Sequence, residues 1–231
     1  MFSILTFRLP IPPLLSEVVG LALLMGVGPL HAEDDGVQVW TTESVSQRLD
    51  YGLEAMIEAE ERYATEHGQA FVRYEITPQI IWHYSPRYDF SIGYEENRQW
   101  MEEGGDIAGH EGFATVTIKL PLRQWLLTSR QRLQGGINDE DENAVFFRQQ
   151  TRLSYELPRL PFHLRPFIQD EWFMDLINGN DITENRAQIG LTYQINRAWR
   201  AELYGMRVDQ WDLTGVHSVT PVIGINLNLT F

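Results

Sequence analysis

Arginines and carboxylates recur along this chain at even spacings. Glu54 and Glu58 precede Arg62, Arg73 stands two residues before Glu75, Arg130 two before Arg132, and Arg148 four before Arg152. Glu171, Arg186 and Glu202 follow farther on. Even spacing keeps side chains on one face of an extended strand. A guanidinium fork binds a carboxylate through two parallel hydrogen bonds, so this set predicts a face filled by ion pairs. Two uses fit such a face: a structural plug, or the lining of a narrow path for a small charged solute.

Catalytic chemistry has little to stand on. The chain contains no GxSxG, HExxH, P-loop or GxGxxG motif. Its histidines are His31, His67, His83, His110, His163 and His217. His217 precedes Ser218 and follows Asp209 and Asp212. A nucleophile must touch its base, and adjacent strand residues face opposite sides, so His217 and Ser218 do not pair. The expectation is therefore a protein that is not an enzyme. Acidic stretches occur at 138–143 (NDEDEN) and within 101–111 (Glu102, Glu103, Asp106, Glu111). They lack the fixed spacing of a calcium loop, so they read as solvated external segments, with no metal or cofactor expected. Divalent ions bridging them to lipopolysaccharide phosphates are the sharper alternative.

The elements that must position the charges are strands. From 218 to 231, Val219, Ile223, Ile225, Leu227, Leu229 and Phe231 share one parity, and Ser218, Thr220, Gly224, Asn226, Asn228 and Thr230 the other. In 184–196, Ala187, Ile189, Leu191, Tyr193 and Ile195 oppose Arg186, Gln188, Gly190, Thr192 and Gln194. In 70–84, Pro78 interrupts the pattern and predicts a lost ladder bond or a bulge. Ten such segments are expected, at 49–62, 70–84, 88–100, 112–121, 124–134, 145–157, 162–174, 184–196, 199–209 and 217–231. Neither face of 199–209 is cleanly apolar. Short turns at 85–87, 121–123, 158–161 and 196–198 alternate with long polar connections near 63–69, 101–111, 135–144, 175–183 and 210–216. Trp82, Tyr84, Trp125, Tyr155, Trp199 and Phe231 fall near the short turns; Trp100, Phe113, Phe147, Trp172 and Trp211 fall near the long ones.

Alternation alone does not say which face is inside, because a soluble barrel or sandwich alternates as well. Three other features favour a membrane barrel. Residues 18–28 (VVGLALLMGVG) follow Arg8 and precede Leu30-His31-Ala32, which reads as a signal peptide over 1–32. The chain's last strand ends on Phe231, as bacterial outer-membrane barrels end. The alternating connections and paired aromatic belts match transmembrane barrels. The mean hydropathy of −0.27 excludes a helical membrane protein but allows a barrel. There is no cysteine, so an exported domain would be held by its core or its sheet. A net charge of −14 argues against nucleic acid as a partner.

Several segments together resemble a family: VQVWTTESVSQRL, EERY, ITPQIIWHYSPRYDFSIGYEENR, SRQRL, RQQTRLSYELP, DEWF, ENRAQIGLTYQI and AELYGMRV. The chain is similar to the bacterial "domain of unknown function 2490" family of predicted outer-membrane β-barrels. Trp40, Glu61-Arg62, Arg130-Gln131-Arg132, Glu171 and Asn185-Arg186 carry the likeness, while Gln134 stands where the family usually has glutamate. The resemblance implies location and fold, and no reaction.

The reading is thus all-β: a transmembrane antiparallel up-and-down barrel of about ten strands over 49–231, with 33–48 as a periplasmic or luminal lead-in. Ten strands would return both ends of the wall to one side. The expected partners are outer-membrane lipid, lipopolysaccharide and the barrel-assembly machinery, with Phe231 as assembly signal. The expected role is structural or that of a narrow channel. A surface-binding or adhesion barrel, or a lipid-modifying or proteolytic one, is the alternative.

Overall fold

The computed structural model describes residues 36–66, 69–101, 106–138, 143–157, 164–177, 181–211 and 216–231. The expected leader, the 158–161 turn, His67, His163, Glu102, Glu103 and most of the NDEDEN run lie outside the described residues.

Among the described residues, eleven strands close into one barrel. They are β1 (Gln38–Arg48), β2 (Leu53–Glu66), β3 (Gln69–Ser85), β4 (Tyr88–Met101), β5 (Asp106–Leu122), β6 (Trp125–Asn138), β7 (Asn143–Tyr155), β8 (Leu164–Asp175), β9 (Ile182–Gln194), β10 (Trp199–Trp211) and β11 (His217–Thr230). Each pairs antiparallel with its chain neighbours. The seam differs: β1 runs parallel to β11, from Gln38 opposite Val222 to Ser46 opposite Thr230. The backbone of Phe231 extends this seam, donating to the Ser46 carbonyl at 2.9 Å.

The strand count of ten is therefore corrected to eleven, and within the expected lead-in, 33–48, residues Gln38–Arg48 form a wall strand. Without β1, β2 and β11 would each expose a row of unpaired backbone groups, and closure removes both edges. A short 3-10 turn at Asp50–Gly52 joins β1 to β2, with Gly52 at φ 75.

The strict alternation of short and long connections does not hold. Glu66 pairs with Gln69, Trp100 with Asp106, Ile137 with Asn143 and Trp211 with His217, so the strands run on through most of the stretches read as long loops. Polar residues on both faces hid this extension. At the opposite end, Ser85 pairs with Tyr88 and Leu122 with Trp125, giving the tight turns expected there. We call these the loop end and the turn end. At Pro78 the β3–β4 ladder lapses after Ile76–Glu96 and resumes in the same register at Gln79–Gly93. A missing N–H accounts for the gap.

Register fixes two faces. Outward lie residues such as Ile57, Ile80, Ile92, Leu133, Ile168, Ile189 and Ile225, all exposed. Aromatic side chains mark this face near both ends: Trp82, Tyr84, Trp125, Tyr155 and Trp199 at the turn end, and Tyr63, Trp100, Trp172 and Trp211 at the loop end. Some are paired, with Trp125 and Tyr155 rings 4.6 Å apart and Trp82 and Tyr84 5.1 Å apart. Phe113, grouped above with the loop-end aromatics, faces the lumen instead and is buried. Of the seven tryptophans, Trp40 alone faces inward, at 4% exposure.

Candidate functional site

The inward face carries the charges. All twelve residues singled out by parity lie on it, distributed over β2, β3, β6, β7, β8, β9 and β10. The structure sorts them into groups set by register.

On β2 and β3, Arg62 bridges Glu60 at 2.6 Å and Glu75 at 2.8 Å, and Arg73 reaches the same Glu75 oxygen at 2.8 Å. The Arg62 guanidinium lies 4.0 Å over the Trp40 ring, which also receives Arg186 of β9 at 5.0 Å. Arg186 itself pairs with Glu184 two residues away. On β6, β7 and β8, Glu171 gathers Arg130 at 2.9 Å, Arg148 at 3.2 Å and the Gln150 amide at 3.3 Å. Arg148 also donates to Gln134 at 3.0 Å and covers Phe173 at 4.3 Å. Gln134 in turn donates to Glu111.

A third group spans the wall from β7 to β10. Both terminal nitrogens of Arg152 donate to Glu202, at 3.1 and 2.9 Å. Thr192 ties into both partners, at 2.8 and 3.0 Å, and the guanidinium rests 3.7 Å over Phe167. Arg132 is held more loosely, 3.9 Å from Glu95 and 3.9 Å over the Phe113 ring. At the turn end, His83 joins Glu54 at 3.2 Å to Asp89 at 3.0 Å, and Lys119 also pairs with Asp89. Glu58 lines the central cavity.

Parity alone missed two things. His83 closes a luminal carboxylate pair. Every luminal arginine cluster rests on an aromatic ring, an arrangement worth about 0.5–2 kcal/mol per contact. The signal was present, since Phe113, Phe167 and Phe173 share parity with the charges of their own strands. Glycines make room for the rings: a side chain at Gly224 would run into Tyr204.

Two cavities adjoin at Arg200 and Asn228. One of 290 Å³ lies among the central charges, including Glu58, Arg130, Arg148, Glu171 and Glu202. The other, of 420 Å³, lies at the turn end among Arg48, Glu54, Arg197 and Phe231. Toward the loop end, Trp40, Met206, Val208 and Val222 pack into an apolar cluster on the seam side. The lumen is thus polar and hollow in part, and filled by side chains above.

The Asp209–His217 pair lies on the outer face near the loop end. His217 Nε2 is 2.8 Å from Asp209, whose oxygens also accept two bonds from Arg207. The His217 ring stacks on Trp211 at 5.1 Å. Ser218 takes the luminal face, so no hydroxyl neighbour on the strand completes a nucleophile–base arrangement.

A family model described as "Protein of unknown function (DUF2490)" matches residues 37–217. No curated protein matches the chain. Among solved structures, the β-domain of the Bordetella autotransporter BrkA is similar in fold, with a TM-score of 0.51 at 11% identity. The match covers 76% of this chain and 82% of that one.

Proposed function

The chain belongs to the DUF2490 family, and on that premise we propose that it is an outer-membrane β-barrel of a Gram-negative bacterium with an occluded lumen. One contrast carries the reading. The outer face is an apolar belt edged by aromatic rings, and the inner face holds ion pairs. Lipid rewards the first, and an interior closed from lipid keeps the second. The likeness in fold to an autotransporter β-domain supports the same setting. Insertion then proceeds through the barrel-assembly machinery acting on the strand that ends at Phe231, with lipid and lipopolysaccharide as surroundings. The role is structural, without catalysis: the charge clusters and the seam-side apolar cluster fill the bore.

Cell fractionation with heat-modifiable gel mobility tests the location. The unboiled protein should shift in mobility and pellet with the outer membrane. Planar bilayers test the plug. The full chain should give no discrete conductance, and steady ohmic steps would refute it. A narrow conduit is the second reading, favoured by the adjoining cavities at Arg200 and Asn228. It expects small steps that shrink in Arg130→Ala or Arg148→Ala.

A further inference from the structure

The outer belt has a gap in its oiliness. On β6, Ser129 and Gln131 face outward between Leu127 and Leu133. On β7, Gln149 and Thr151 face outward between Phe147 and Leu153, with Gln131 opposite Gln149 and Ser129 opposite Thr151. On β8, Asp170 continues the row beside Thr151. Five adjacent positions are therefore polar, beside Val116 and Ile118 on β5 and Ala187 on β9.

Their hydrogen bonding is half complete. Both glutamine amides donate to the Ser129 hydroxyl, Gln131 at 2.7 Å and Gln149 at 3.0 Å, and Gln149 donates as well to the Gln150 carbonyl at 3.2 Å and the Thr151 hydroxyl at 3.5 Å. Asn185 donates to one Asp170 oxygen at 2.9 Å. Among the described residues, neither glutamine carbonyl oxygen and not the second Asp170 oxygen receives a bond. Acyl chains offer no donors, so a lipid-facing group left in this state is costly.

We propose that this stripe is the contact face of a dimer, a second copy of the chain covering it through a two-fold axis. The inference rests on the membrane reading above. Amides and hydroxyls both donate and accept, so the patch complements itself when turned through two-fold symmetry. The acceptor-only Asp170 takes the second amide hydrogen of Gln131, or the Ser129 or Thr151 hydroxyl, of the facing copy. The flanking Leu127, Leu133, Phe147 and Leu153 supply an apolar rim. By contrast Glu43, which faces out from β1 between Leu227 and Ala59, is a lone acceptor that cannot pair with itself.

The chain has no cysteine, which makes the test direct. Ser129→Cys, Gln131→Cys, Gln149→Cys and Thr151→Cys are introduced one at a time into the full chain in outer-membrane vesicles. A short bifunctional thiol reagent is applied, with Ile92→Cys on another part of the belt as control. A band of two chains should form from at least one stripe position and not from Ile92→Cys. In the Ser129→Cys and Thr151→Cys chains it should be lost when Gln131→Leu and Gln149→Leu are added, while heat-modifiable mobility remains. A folded, membrane-pelleted barrel that yields no stripe-specific dimer overturns this inference alone. A product joined to a different protein overturns it too. A chain that stays soluble without detergent removes the membrane reading and this one together.

Discussion

Replacing either end of the Arg152–Glu202 strut should destabilise the barrel unequally, and replacing both should restore most of the loss. The pair is bidentate, at 3.1 and 2.9 Å, with side-chain exposures of 24% for Arg152 and 7% for Glu202. Two unit charges about 4 Å apart attract by about 4 kcal/mol at an effective dielectric near 20. Desolvation and lost rotamer freedom offset much of that, so the net worth of the intact pair is small. Breaking it is another matter, because the survivor keeps its desolvation. Arg152→Leu strands the deeply covered Glu202 and should cost about 3 kcal/mol. Glu202→Leu leaves Arg152 with Thr192, the Phe167 ring and the adjoining cavity, so its cost should be about 1–2 kcal/mol. The double variant should lie within about 1 kcal/mol of the parent, a coupling of at least about 3 kcal/mol. Urea titration in detergent micelles, followed by tryptophan emission and by gel mobility, measures all four. Single effects that add to within about 0.5 kcal/mol would show that the two side chains do not act together, and the reasoning would fail.

Three further outcomes are expected. In single-tryptophan variants, brominated acyl chains should quench Trp125 and leave Trp40 bright; quenching of Trp40 would reverse the assignment of faces. Gly224→Ala should push against the Tyr204 ring and cost about 1–3 kcal/mol in the same urea titration. Deleting 38–48 alone should abolish heat-modifiable mobility, because β2 and β11 would each lose a partner; a shortened chain that still migrates as a folded barrel would show that β1 is dispensable.

Much of the wall was legible because β9 from Ala187 onward and β11 from Val219 onward keep one apolar face. β1 was not, because its outward Thr41 and Glu43 and its inward Thr42, Ser44 and Ser46 give neither face an oily period. Its place is dictated by two open edges elsewhere, which local pattern does not record. β10 was obscure for the reverse reason. Met206 and Val208 turn inward while Arg207 and Asp209 turn outward, inverting the usual code near the loop end. The luminal charges followed from parity. Their partners did not, since Arg152 meets Glu202 across fifty residues of sequence and only the curvature of the wall brings those strands face to face.

An odd number of strands also has a bearing on sidedness. A wall with an even count delivers the polypeptide back to the side from which it set out. Here the first and final staves point the same way, so Gln38 and Phe231 belong to opposite mouths. An epitope placed beside one would answer to reagents applied from one compartment, and an epitope beside the other to reagents applied from its opposite.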